Sequence, residues 1–493
     1  MASEVPAQHV SPLRSGLARR ALLGLALQAV LRLRGLLLIP VLVRVLPPAE
    51  VGVLNLGNAF TGWITPMLLL GINTGYALRL VHLTRPTRPA VLTVLLFSSV
   101  VSIFGVAVIF AAVKQGFLGS ALSPLVPVLL PLGLLAIATA AREVATVFPQ
   151  VRQDLRFIAG NGVLMDFGGV LLAIAFVLAG YGAYGALLGP ALLSLVGASI
   201  AAAYSLRRAE GPFALDRPFL ASALRSALPV VPLALALWSL QSADYLVISY
   251  FHGTGALAIY GLAYSLASPT LMALAAVNLT FLPTCVEILA RGRKEFARFI
   301  DHSTRLFALA GIAAVSFSVA SGPALTTWFA GPDYAESGYL LPVVVGAYVL
   351  FSLSQLQQLV PGTMTQDLSG AARVNILAAG FNLAANFLVV PDYGYWGAAW
   401  ATMVAYGLSL FLMMRGNRLL LPEITWPRIA GRLTAIAFVS SGLALLLRPL
   451  ATGVITALSA GVLSVIGLMV LAWTVGLITR EDRARLSPAR RPN

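Results

Sequence analysis

The sequence predicts an all-α polytopic membrane protein with about 14 transmembrane helices, and three observations support this fold class. The chain is 59% hydrophobic and only 10% charged, whereas soluble proteins carry about 25% charged residues. Its apolar residues form long segments, each able to supply the ~20 residues that cross a bilayer. Its basic residues gather between alternate segments, as in membrane proteins with a fixed orientation. The segments are too long and too uniformly apolar for barrel strands, so they must be helices.

Turn-forming or charged residues separate the apolar segments from one another. The predicted spans cover residues 21–46, 52–78, 90–113, 121–141, 157–180, 183–206, 226–250, 255–284, 304–329, 338–360, 371–390, 395–416, 428–447 and 453–478.

The basic residues predict which way the chain crosses the membrane. If the N-terminus lies in the cytoplasm, all but five of the 33 Lys and Arg residues fall in cytoplasmic regions; the five are Arg32, Arg34, Arg44, Lys114 and Arg448. This asymmetry follows the positive-inside rule and predicts a multi-pass protein of the cell (plasma or inner) membrane with both termini in the cytoplasm. It also accounts for the net charge of +15, so no nucleic-acid partner is expected.

Spans 1–6 and 7–12 are predicted to be two copies of one six-helix unit. Gly52-Val53-Leu54 aligns with Ala258-Ile259-Tyr260 at an offset of 206, and Tyr181-Gly182-Ala183 aligns with Tyr393-Gly394-Tyr395 at an offset of 212. Two parallel bundles that enclose a central site are an arrangement typical of transporters. The predicted organisation is a cytoplasmic tail (1–20), a first lobe (21–206), a cytoplasmic linker (207–225), a second lobe (226–416), two additional spans (428–478) and a basic cytoplasmic tail (479–493).

Three groups of residues carry a resemblance to a known family. They are Leu46–Phe60 with Leu70-Gly71-Ile72; Asp244–Ile248 with Ala258–Tyr260 and Pro283; and Asn382–Asn386 with Val390–Ala399 and Thr402. On these residues the chain resembles the polysaccharide-flippase branch of the multidrug/oligosaccharidyl-lipid/polysaccharide exporter superfamily.

This resemblance implies two six-helix bundles in a V shape that work by alternating access. It implies that the cargo is an oligosaccharide linked through pyrophosphate to a polyprenyl lipid. It also implies that the two additional C-terminal helices form a groove for the lipid tail, although they could instead be a peripheral packing pair. Membrane lipid and other polysaccharide-assembly membrane proteins are the further expected partners.

Arg32 and Arg34 are the first candidate substrate-binding residues. A charge in the middle of a span is costly, which indicates a polar interior, and guanidinium groups suit phosphate oxygens. The two side chains lie roughly 200° apart on an ideal helix, so both reach one cavity only if the helix is distorted, for which Gly35 and Pro40 are candidates. Alternatively, one of them extends to the membrane surface or pairs with an acid of another span.

The remaining candidate residues also lie within or beside predicted spans. Arg44 and Asp244, near the outer ends of the equivalent spans 1 and 7, are predicted to form an ion pair that gates the outer side; alternatively, Arg44 simply faces the headgroups. Asp166 either binds a coupling proton or cation or neutralises an arginine. Gln355 and Gln358 are candidates for binding sugar hydroxyls, with interhelical hydrogen bonding as the alternative.

The leading functional prediction is a flippase that moves this lipid-linked oligosaccharide from the cytoplasmic to the outer leaflet without changing a covalent bond. No cofactor or metal site is predicted, because the chain has one cysteine and four scattered histidines; a proton or sodium gradient is the candidate energy source. The alternatives are a drug/cation antiporter of the same fold and a membrane polysaccharide polymerase or ligase. The last would need a sizeable outer loop for its catalytic groups, and every predicted outer loop is short.

Overall fold

The computed structural model describes residues 38–81, 87–116, 120–365, 369–425 and 427–477, and confirms the all-α fold over them. The helices are α1 (38–45), α2 (Pro48–Leu69), α3 (Ile72–Val81), α4 (Arg88–Lys114), α5 (Leu129–Ala145), α6 (Val147–Val151), α7 (Leu155–Phe176), α8 (Gly182–Arg208), α9 (Arg217–Ala227), α10 (Val231–Arg291), α11 (Arg293–Ala330), α12 (Ala335–Gln357), α13 (Leu359–Met364), α14 (Ser369–Leu420), α15 (Pro427–Leu447) and α16 (Val454–Thr474). Short 3₁₀ segments join some of them, at Ser120–Val128, Leu228–Val230, Pro332–Tyr334 and Arg448–Leu450.

The helices agree with the predicted number of spans. The described residues contain nine helical stretches long and apolar enough to cross a membrane, or ten if the bent pair α2–α3 is one span. Three of these stretches each contain two predicted spans, divided at Gly182, Gly253 and Gly394, where φ is positive. With the bent pair counted as one span and these three stretches counted as two spans each, the described part of the chain holds thirteen spans. Helix α1 is the C-terminal end of the first predicted span, 21–46.

The two copies of the repeat share an unusual backbone geometry. Gly182 has φ 54° and ψ −143°, and Gly394, 212 positions later, has φ 55° and ψ −140°. Only glycine adopts such angles without strain. Three residues after each, Gly185 and Gly397 pack so closely that an added Cβ would lie within about 3 Å of a tyrosine Cβ in the preceding turn. The sequence repeat thus corresponds to one turn structure used twice.

Two elements differ from the prediction. The second span is bent by 52° between α2 and α3, where Leu70 and Gly71 both have positive φ. The predicted linker contains a helix, α9, which Asp216 caps by accepting a hydrogen bond from the backbone N–H of Phe219 at 2.9 Å. This helix packs against α3, since a Cβ on Gly75 would lie 2.1 Å from a carbonyl oxygen of α9.

The largest hydrophobic core continues from one half of the repeat to the other. It includes Phe60 of α2, Ile248 and Tyr260 of α10, and Leu340 of α12, all of which are almost fully buried. The additional helices α15 and α16 pack against α11, with the hydroxyl of Ser316 donating to that of Ser440 at 3.0 Å. They lie outside the repeat, as predicted.

Candidate functional site

The two halves of the repeat meet along α2 and α10 at the predicted outer side. A Cβ on Gly52 would lie 1.8 Å from the carbonyl oxygen of Thr254, and a Cβ on Gly261 would lie 2.1 Å from Nδ2 of Asn55. Asn55 and Gly261 are 206 positions apart, which is the offset of the repeat. These two residues therefore occupy equivalent positions in the two halves and contact each other. The contact therefore lies on the approximate two-fold axis that relates the halves. We call Gly52, Asn55, Thr254 and Gly261 the outer seam.

Next to the outer seam is a cavity of about 710 Å³. Helices α1, α2, α5, α7 and α8 form most of its wall, and α10 closes it from the other half. Amide and hydroxyl side chains line it, among them Asn55, Asn58, Thr61, Asn161 and Ser265. We call it the central cavity. A smaller space of about 320 Å³ adjoins it and shares part of its wall, including Trp238.

An ion pair lies in the wall of the central cavity. Nη1 of Arg142, on α5, donates to Oδ1 of Asp166, on α7, at 2.6 Å. The two side chains are only 19% and 10% exposed. Solvent therefore screens their attraction weakly, and each charge stabilises the other in the protein interior. Of the two roles predicted for Asp166, the geometry shows the neutralisation of an arginine; a role in ion coupling stays a prediction.

A second carboxylate, Glu143, lines both the central cavity and the adjoining space. Its Oε2 accepts a hydrogen bond of 3.2 Å from Nδ2 of Asn73, at the start of α3. Glu143 therefore connects the bent part of the second span to the cavity wall. In the sequence, Arg142 is one of the predicted cytoplasmic arginines, and the position of Glu143 near a cytoplasmic end favours only a loop salt bridge, so neither residue is predicted to line a site.

The predicted substrate-binding residues have different outcomes. Arg32 and Arg34 lie outside the described residues, so their role stays a prediction. Gln355 and Gln358, at the end of α12, contact each other through their side-chain amides, and neither lines the central cavity. Their neighbour Gln357 is buried and bonds between helices: its Nε2 donates to Thr304 at 2.8 Å.

The structure contradicts an ion pair between Arg44 and Asp244 in this conformation. Nη2 of Arg44 donates to the carbonyl oxygen of Trp328 at 2.6 Å, and Nε donates to that of Phe329 at 3.2 Å. These carbonyls belong to the last turn of α11, where acceptors lack intrahelical donors and attract cations. Asp244 instead lies inside the second half of the repeat, 1% exposed, so the predicted pairing was wrong.

Asp244 is the centre of a buried polar network. The hydroxyl of Tyr260 and the backbone N–H of Tyr245 donate to its Oδ2 and Oδ1 respectively, and the Thr402 hydroxyl lies 3.4 Å from Oδ2. The network continues because Nδ2 of Asn382 donates to Thr402 at 3.2 Å. Nδ2 of Asn386 donates in turn to Asn382 Oδ1 at 3.1 Å.

Two features make this network unusual for a membrane interior. Among the described residues, no basic group lies within 4.0 Å of Asp244. Oδ1 of Asn386 is buried without a hydrogen-bond partner in the described part of the chain. An isolated carboxylate and an unsatisfied acceptor are each costly to bury, so the network is suited to accept a positive charge. The signal in the sequence was the spacing of Asn382 and Asn386, which places both on one helical face.

The fold matches solved transporters. The chain superposes on "Lipid II flippase MurJ, inward closed conformation" with a TM-score of 0.70 at 10% identity, covering 91% of this chain and 98% of that one. An inward-facing multidrug resistance MATE family transporter of the MOP superfamily matches with a TM-score of 0.65 at 16% identity, covering 79% and 94%. A MOP superfamily transporter from Pyrococcus furiosus matches with a TM-score of 0.55 at 14% identity, covering 82% and 94%. No curated protein matches the sequence.

The family is established by sequence. The profile described as "Polysaccharide biosynthesis protein" matches residues 41–339, which is more than half of the chain. The match includes the outer seam and the described wall of the central cavity apart from Leu38 and Ile39. The chain is therefore a multi-pass membrane protein with the fold of flippases and transporters of the MOP superfamily, and it belongs to the polysaccharide biosynthesis protein family.

Proposed function

We propose that the protein is a flippase that carries a polyprenyl-pyrophosphate-linked oligosaccharide from the cytoplasmic to the outer leaflet by alternating access. The observation that carries this proposal is the central cavity, whose amide and hydroxyl groups suit sugar hydroxyls. The outer seam closes one end of the cavity, while its wall extends to Gln150 in α6, near the predicted cytoplasmic ends of the spans. This arrangement supports the proposal that cargo enters from the cytoplasmic side.

Guanidinium groups are the proposed partners of the pyrophosphate. Arg142 already lies in the cavity wall, and its fork of donors can bind two oxygen atoms at once. Asp166 already accepts a hydrogen bond from Nη1 of Arg142. An arriving phosphate would therefore compete with the carboxylate of Asp166 for the guanidinium group of Arg142. Arg32 and Arg34 are proposed to supply further positive charge from the first span.

The network around Asp244 is the proposed site of ion coupling. A proton would neutralise the carboxylate directly. Alternatively, the oxygen atoms of Asp244, Asn382, Asn386 and Thr402 suit a sodium ion, because hard cations prefer oxygen ligands. Either event would remove an uncompensated buried charge, and its free energy would be available to favour one conformation over the other.

A drug/cation antiporter is the second candidate function, and one observation favours it. The described wall of the central cavity carries the two carboxylates of Glu143 and Asp166 against one guanidinium group, that of Arg142. An acidic wall suits a cationic drug better than an anionic cargo. The flippase is preferred because the family is one of polysaccharide biosynthesis. We propose no bond-making or bond-breaking step, so a polymerase or ligase is not carried further.

A strain lacking the gene distinguishes the two functions. If the protein is the flippase, lipid-linked oligosaccharide accumulates with its sugar exposed only to the cytoplasm, and the wild-type gene restores export. As a control, the same strain is tested for sensitivity to cationic drugs. Normal export of the oligosaccharide together with drug sensitivity would contradict the flippase and support the antiporter.

A further inference from the structure

A second open space lies at the predicted cytoplasmic ends of α6, α7 and α8. It is a cleft of about 830 Å³. Three arginines line it, one from each of three neighbouring stretches: Arg152 after α6, Arg156 in the first turn of α7 and Arg208 at the end of α8. We call it the arginine cleft. The positive-inside rule accounts for basic residues at this depth, but it does not account for their convergence on one space.

Aromatic rings hold two of the guanidinium groups in place. Arg208 lies over the ring of Tyr204 at 4.9 Å, and Arg152 lies 5.8 Å from the ring centre of Phe148. Tyr204 itself stacks on Phe157 with ring centres 4.0 Å apart. A cation over an aromatic face keeps its N–H groups free at the edges. These two arginines are therefore oriented before any ligand arrives.

Asp154, the one carboxylate among the described residues that line the cleft, is held by hydrogen bonds and forms no ion pair within 4.0 Å with the three arginines. One oxygen of Asp154 caps α7 by accepting from the backbone N–H of Phe157 at 3.1 Å, and the other accepts from the hydroxyl of Tyr204. The Tyr204 hydrogen bond, followed by that of Phe157, lowers the pKa of Asp154 from its ordinary value. Among the described residues, none of the three arginines has a carboxylate within 4.0 Å. Three positive groups and one negative group leave the cleft electropositive.

The arginine cleft is separate from the central cavity. Phe148 lines the cleft and Gln150 lines the cavity, and these residues lie two positions apart in α6, on opposite faces of the helix. The cleft is open and sits where three membrane spans end, which is the depth of the lipid headgroups. Its ligand must therefore be an anion available at the membrane surface.

We propose that the arginine cleft binds the phosphate headgroup of an anionic glycerophospholipid of the cytoplasmic leaflet. The chemistry is the same as for any phosphate: charge-assisted hydrogen bonds from planar guanidinium groups. A membrane lipid is favoured over a soluble phosphate because the cleft lies at headgroup depth. This proposal is independent of the transported cargo.

The test compares two triple variants with the wild-type protein. In the cleft variant, Arg152→Gln, Arg156→Gln and Arg208→Gln remove three charges. The matched control removes three exposed arginines near the ends of α14: Arg373→Gln, Arg415→Gln and Arg418→Gln. Phosphatidylglycerol is titrated into each detergent-purified protein, and bound lipid is counted by native mass spectrometry. Phosphatidylcholine and inorganic pyrophosphate are the parallel probes.

We expect the cleft variant to lose phosphatidylglycerol affinity by roughly tenfold or more, since its three guanidinium groups converge on one space and can bind one phosphate together, whereas the control arginines do not line the cleft. The control should retain wild-type affinity. Equal losses in the two variants would overturn the proposal, because the attraction would then be non-specific. Binding of pyrophosphate at the cleft without phosphatidylglycerol would also overturn it, in favour of a soluble ligand. If the triple variant is misfolded by circular dichroism, the single variant Arg208→Gln is measured against Arg418→Gln, with the same outcomes.

Discussion

The outer seam makes a quantitative prediction about the balance of conformations. In Gly52→Ala the new Cβ would lie 1.8 Å from the carbonyl oxygen of Thr254 and 2.5 Å from its carbonyl carbon. Ordinary contacts begin at about 3.5 Å, and the obstructing atoms belong to backbone, so α2 and α10 must separate. Overpacking of this kind costs about 1–3 kcal/mol.

That cost applies only to the conformation in which the seam is closed. The equilibrium should therefore shift toward an outward-open conformation by about 5- to 150-fold. Gly160→Ala is the matched control, because Gly160 is another helical glycine and no atom of the described residues lies within 4 Å of its added Cβ. The control should be neutral or slightly stabilising, since alanine is the better helix former.

Labelling of a cysteine in the central cavity measures this shift. The natural Cys285 is buried and is replaced by alanine, and Asn58→Cys introduces a thiol into the cavity wall. A membrane-impermeant maleimide is added from outside to right-side-out vesicles. We expect faster labelling in Gly52→Ala than in Gly160→Ala. Equal rates in the two variants would refute the assignment of the seam as the outer closure.

Three further predictions concern the ionised groups. Arg142→Ala should destabilise the protein by at most about 3–5 kcal/mol, because it removes the guanidinium group that pairs with the largely buried carboxylate of Asp166; thermal unfolding should show partial recovery when Asp166→Asn is added, and additive losses would contradict the coupling. Asp244→Asn should abolish the dependence of transport on the driving proton or sodium gradient while the protein stays folded, and transport that keeps its full ion dependence would contradict the proposed site. The lowered pKa of Asp154 contributes stability above its unfolded pKa of about 3.9 that is lost as the pH falls through the folded pKa. Tyr204→Phe should therefore lower the melting temperature more at pH 7 than at pH 3, and a difference that does not depend on pH would show that the hydrogen bond does not act through the charge of Asp154.

The fold could be predicted from the sequence because membrane insertion requires long apolar segments and basic residues on one side of the membrane. The lengths of the apolar segments and the alternation of basic residues predicted the number of spans. If one span had been missed, the basic residues would have fallen on both sides of the membrane. The turn glycines gave the repeat, because only glycine takes the backbone angles found at Gly182 and Gly394. The bend after Leu70 and the helix in the linker were missed. Both depend on the packing of α3 against α9, and a contact between two distant segments cannot be predicted from the sequence of either one alone.

The site was only partly predictable, because its residues meet through tertiary structure. Arg142 lies at the end of a span, where the positive-inside rule is a sufficient explanation, so its pairing with Asp166 left no separate signal. Arg44 and Asp244 were matched on the equivalence of their spans, but rotation of each helix about its axis decides which groups meet. Sequence position gives the depth of a residue in the membrane and does not give that rotation.

Transport by the purified protein tests the central claim most directly. The protein is reconstituted into liposomes with a lipid-linked oligosaccharide. A membrane-impermeant sugar-modifying enzyme added outside first modifies all the oligosaccharide in the outer leaflet, and any later modification measures oligosaccharide that has crossed from the inner leaflet. We predict that further oligosaccharide becomes accessible over time in liposomes that contain the protein, and that protein-free liposomes show no such increase. If no further oligosaccharide becomes accessible while the same liposomes exchange a cationic drug for protons or sodium ions, the claim is contradicted.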